Sequence, residues 1–103
     1  MCSNDNICIH KNGNSPLHYW RKGGVEMLDS TIVGRVIQEF REERQKSQEL
    51  VSGLAGIGRT HLSAIERGER KPTLETFFKI AYALDIQPSV IMRAIEEKMN
   101  DIK

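Results

Sequence analysis

From about Asp29 to the end of the chain, apolar residues return every three or four positions, and glycine, proline and small polar residues cut them into short runs. This spacing predicts one all-helical domain around a single core, which is all that 103 residues can build. Val33, Val36, Ile37 and Phe40 fall at i, i+3, i+4 and i+7, with Asp29, Ser30 or Thr31 available as cap. A second helix, about Gln48–Ala55, follows Ser47, a good N-cap residue, and is broken by Gly56-Ile57-Gly58. A third runs about Arg59–Arg67 and ends at Gly68, suited to a left-handed C-terminal cap. Pro72-Thr73 stops and restarts the chain. Thr73 caps a fourth helix with the stripe Leu74, Phe77, Phe78, Ala81 and Leu84, and Asp85 terminates it. Gln87-Pro88 opens a fifth, carrying Ile91, Ile95, Met99 and Ile102.

Residues 1–28 differ from the rest. They are rich in Asn, Gly, Ser and His, hold no sustained period, and read as an irregular leader ahead of a domain at 29–103. Lys22-Gly23-Gly24 can be encoded by a purine-rich ribosome-binding sequence a short spacer before Met27, which makes Met27 a candidate natural start. Cys2, Cys8, His10 and His18 lack the paired spacing of a zinc site, so neither a metal nor a disulfide is expected.

Composition narrows function mainly by exclusion. At 39% hydrophobic and 28% charged the chain is of a soluble globular kind, with no run long enough to span a bilayer and no signal peptide; a cytoplasmic location is expected. His61 and Ser63 have no partner that would make a general base or a nucleophile, so no enzyme and no cofactor are expected. A net charge of +1 says little. Placement says more: Arg59, Arg67, Arg70 and Lys71 crowd into a span whose acids are Glu66 and Glu69.

Two short helices joined by a tight glycine turn can brace one helix on a DNA backbone and lay the next in the major groove. In the third helix Leu62 and Ile65 supply the inward face, and Arg59, Thr60 and His61 form a polar first turn. Ala64 is small and placed to meet a thymine methyl.

The stretch SQELVSGLAGIGRTHLSAIERGERKPTLETFFKIAYALDI resembles the phage repressor/Cro-type helix-turn-helix family, also called the XRE family, without gaps from about Val33 to Met92. Its most specific pieces are Ser47-Gln48 and Ile65-Glu66-Arg67-Gly68. The resemblance implies a lambda repressor-like bundle of five helices, with its helix-turn-helix motif at 47–67, that binds double-stranded operator DNA as a homodimer. It implies that Gln48 touches phosphate, that Arg59 and Thr60 meet base edges, that His61 and Ser63 lie along the backbone edge, and that Arg67 faces phosphate; Arg70, from its place in the basic span, is expected to add an even, sequence-independent contribution. It also implies an internal ion pair between Arg41 and Glu66. Several positions depart from the pattern: Gln45 stands where glycine often ends the first helix, and Lys46 replaces an apolar residue. Leu50-Val51-Ser52 alters a usual run, Gly58 replaces a Ser or Thr cap, and Gly53 weakens the second helix.

The expected function is therefore a sequence-specific, DNA-binding transcription regulator. Met99 and Ile102 extend the apolar stripe of the last helix and are expected to serve a dimer contact. The alternative is a DNA-binding antitoxin whose main partner is a toxin protein.

Overall fold

The computed structural model describes residues 28–101, and within them five helices and no strand. They are α1 (Ser30–Glu43), α2 (Gln48–Ala55), α3 (Arg59–Glu66), α4 (Leu74–Leu84) and α5 (Pro88–Asp101). The expected leader, the Lys22-Gly23-Gly24 segment, Cys2, Cys8, His10, His18 and Ile102 lie outside the described residues. None of the described helices is long and apolar enough to cross a membrane.

Helix starts follow the side-chain chemistry of their first residues. The Asp29 carboxylate accepts the Thr31 N–H at 2.9 Å, Ser47 Oγ accepts the Leu50 N–H at 3.0 Å, and Thr73 Oγ1 accepts the Thr76 N–H at 3.1 Å. Gly58 offers α3 no side-chain cap. Helix ends share one device. In α1 to α4 two N–H groups just past the helix reach back to its last carbonyls, as Gly68 does to Ile65 and Glu69 to Ala64. The residue that makes this turn is left-handed each time: Gln45 (φ 58°), Gly56 (φ 73°), Gly68 (φ 82°) and Asp85 (φ 60°). For Gln45, a non-glycine in that region, strain of about 1–3 kcal/mol is the ordinary cost.

The core is built from Val33, Val36, Ile37, Val51, Ala55, Leu62, Ile65, Phe77, Ile80, Ala81, Leu84, Ile91 and Ile95, all buried. The α4 stripe differs from the expected one: Leu74 and Phe78 are 69% and 55% exposed, and Ile80 is buried in their place. A face centred on Phe77, Ile80, Ala81 and Leu84 keeps the helical period while turning Leu74, Phe78 and Tyr82 to the outside. Met99 is half-buried and packs against the core, so the end of α5 serves the bundle as well as its surface.

Two contacts fix α3 against α1. Gly34 is buried where the helices cross, and a Cβ there would lie 2.2 Å from the Ile65 carbonyl oxygen. At Gly68 a Cβ would meet Thr31 Cα at 2.9 Å, and Ser30 Oγ donates to the Gly68 carbonyl at 3.0 Å. The departures in the loop before α2 also find their reason. Lys46 Nζ donates to the Ala83 carbonyl at 3.1 Å, placing its charge at the C-terminal end of α4. In α2, Val51 and Ala55 face the core, and the buried Ser52 hydroxyl donates to the Glu49 carbonyl at 3.2 Å.

Candidate nucleic-acid interface

The site begins with the link that sets the pose of α3. Arg41 Nε lies 2.7 Å from Glu66 Oε2, and its Nη2 lies 3.0 Å from Oε1. Nη1 donates to the Lys46 carbonyl at 2.8 Å. The side chains are 11% and 3% exposed, so the fork is closed off from bulk water. Donation of hydrogen bonds to Glu66 raises the pKa of the Arg41 guanidinium above its ordinary value, burial opposes this, and the Glu66 charge adds to the rise. Gln48 completes the cluster: Nε2 donates to Glu66 Oε1 at 2.9 Å. One carboxylate at the last residue of α3 thus binds α1, the head of α2 and, through Arg41, the loop between them. The half-buried Gln48 amide is turned into this cluster.

With its rear held, α3 presents its beginning to solvent. Arg59 and Thr60 are exposed, and His61 is half-buried beside them. Because Gly58 has no capping side chain, the first N–H groups of α3 have no side-chain acceptor there. Leu62 and Ile65 are fully buried behind this turn, so the polar residues cannot rotate inward without exposing them.

Ala64 is nearly covered. Expected against a thymine methyl, it is only 8% exposed. Its carbonyl accepts the Glu69 N–H at 2.9 Å as the chain turns back after α3, and this end of the helix is wrapped by its own closing turn.

The C-terminal edge holds a second ion pair that the sequence reading did not anticipate. Arg67 Nε and Nη2 donate to the two Glu69 oxygens, each at 2.9 Å, and Nη1 donates to Ser63 Oγ. Arg67 is therefore exposed yet engaged, and the half-buried Ser63 orients it. The hydrogen bond from Arg67 and then its charge hold the Glu69 carboxyl below the usual carboxylate range. The readable signal was the two-residue spacing across Gly68, whose left-handed turn brings the side chains together. Arg70 and Lys71 follow, both exposed. Of the two acids in this span, Glu66 is spent internally on Arg41, and Glu69 is the one that faces outward.

Residues 37–91 match the profile of the helix-turn-helix family. Over 66 residues the chain is 32% identical to an uncharacterized HTH-type transcriptional regulator, y4dJ, of Sinorhizobium fredii, covering 64% of this chain and 86% of the relative. It is 38% identical over 60 residues to the immunity repressor protein of Bacillus phage phi105, covering 58% of this chain and 42% of that protein. Among solved structures, the restriction-modification controller protein C.AhdI of Aeromonas hydrophila superposes with a TM-score of 0.60 at 35% identity, over 61% of this chain and 96% of that one. The antitoxin alternative draws no support from these likenesses. The chain belongs to the helix-turn-helix family, in the phage repressor-like form that its sequence resembles.

Proposed function

We propose that this helix-turn-helix protein is a sequence-specific transcription regulator that binds operator DNA as a homodimer, and that it is not an enzyme. One observation carries the reading. The first turn of α3 projects Arg59 and Thr60 outward while Leu62 and Ile65 are fully buried behind it and Glu66 is locked to α1. A rigid helix with a polar, uncapped beginning is what a major groove admits.

In this reading Arg59 forks onto a guanine edge, with Thr60 reading beside it. His61 and Ser63 lie along the backbone edge, Gln48 supports the head of α2 near a phosphate, and Arg67 and Arg70 grip the backbone beyond α3. The protein acts in the cytoplasm, where its duplex partner is. Residues 29–103 form the binding domain.

The second copy joins through the C-terminal part of the bundle. Exposed Val90 and Met92 on α5 and Phe78 and Tyr82 on α4 supply apolar surface there. A shallow groove of about 390 Å³ is lined by Phe78, Tyr82, Asp85, Ile86, Gln87 and Pro88, at the end of α4 and the start of α5.

Binding-site selection from random duplex DNA tests the whole reading. The expected product is an inverted repeat with half-sites about one helical turn apart. Failure to enrich any duplex would end it.

A further inference from the structure

We propose that Glu69 is a built-in competitor for DNA phosphate at Arg67, and so sets how tightly the far edge of the recognition helix holds the backbone. The inference rests on the DNA-binding reading and deepens it. Two carboxylate oxygens on the Nε–Nη2 side of a guanidinium occupy the same fork that two phosphate oxygens would take. Ser63 accepts from the remaining terminal nitrogen and fixes the fork in that direction. Three of the five Arg67 donors, the Nε–Nη2 fork among them, are thus engaged before any duplex arrives.

The pair is also built to exchange. Arg67 and Glu69 are 53% and 59% exposed, where water and ions reach both partners and an ion pair is weak. Glu66 cannot play this part, because it is 3% exposed and held by Arg41 and Gln48. Phosphate brought close by a docked α3 displaces Glu69 from the fork. Distant, loosely held DNA meets a neutralised Arg67 and gains little from it. Glu69 thereby lowers the general stickiness of an edge that is followed by Arg70 and Lys71.

The test measures binding of the full chain to a mixed-sequence DNA duplex by fluorescence anisotropy across a salt series, for the wild type, Glu69→Gln, Arg67→Ala and the double variant. Glu69→Gln should tighten binding by about two- to fivefold. The salt dependence should steepen by about one unit as a freed cation meets phosphate. The gain should vanish when Arg67 is absent. Equal gains with and without Arg67 would overturn the proposal, since Glu69 would then act by plain repulsion. Unchanged or weaker binding for Glu69→Gln would overturn it too, the latter making Glu69 a positioning residue for Arg67. Wild type that binds no duplex at all would instead end the DNA-binding reading and take this inference with it.

Discussion

Arg41 in α1 and Glu66 at the end of α3 meet as a two-pronged ion pair, at 2.7 and 3.0 Å, across twenty-five positions of chain. Little water reaches either group. Removing one partner leaves the other charged and shut in, which typically costs about 3–5 kcal/mol. Arg41→Ala and Glu66→Ala should each lower stability on that scale in urea denaturation. An apolar pair of similar volume at both positions should recover much of the loss. If Arg41→Ala denatured at the wild-type midpoint, the pair would not be holding α3.

Gly34 and Gly53 should respond oppositely to alanine. A Cβ at Gly34 would sit 2.2 Å from a backbone oxygen of α3, so Gly34→Ala must push α1 and α3 apart and should cost more than about 3 kcal/mol. Gly53 meets nothing within 4 Å and lies inside α2, so Gly53→Ala should stabilise by about 0.5–1 kcal/mol. Thermal melts of the two variants check both signs. A neutral Gly34→Ala would rule out the close crossing of α1 and α3.

Arg59 and Arg70 should differ in kind. Arg59→Ala should erase discrimination of about 1–3 kcal/mol at one base pair of a selected operator and leave the other positions intact. Arg70→Ala should weaken binding evenly over sequences and reduce the salt slope by about one. Competition binding with single-substitution operators separates the outcomes. An Arg59→Ala variant with an unchanged sequence profile would remove Arg59 from base reading.

Glu69 should titrate below the ordinary carboxylate range in carbon-detected NMR, because its charged form is hydrogen-bonded by Arg67 and attracted to it. A folded value depressed below the unfolded one means that the pair's contribution is present above the unfolded pKa. That contribution disappears as pH falls through the folded one. Arg67→Ala should return the midpoint to the usual range. A midpoint indifferent to Arg67 would mean that the pair does not persist in solution.

Helix order, caps and turns were legible in the residues themselves because they are local. Ser47 and Thr73 cap N–H groups three positions on, and Gly68 turns left-handed where a backbone without Cβ allows it. The helix-turn-helix pattern was legible for the same reason, since an inward Leu62 and Ile65 at helical spacing dictate which side of α3 faces out.

Contacts between distant segments were decided only by the tertiary structure. Periodicity alone cannot say whether Phe78 or Ile80 enters the core from α4, and packing chose Ile80. Gly34 gave no local sign of its role, which exists only because α1 and α3 cross at its Cα. Ala64 and Arg67 show the same division of labour. Sequence placed both on the recognition helix or at its end, but the fold buries the first and hands the second to Glu69. Local chemistry fixes which backbone groups a helix end must satisfy, whereas burial and ion pairing depend on which remote surface arrives against it.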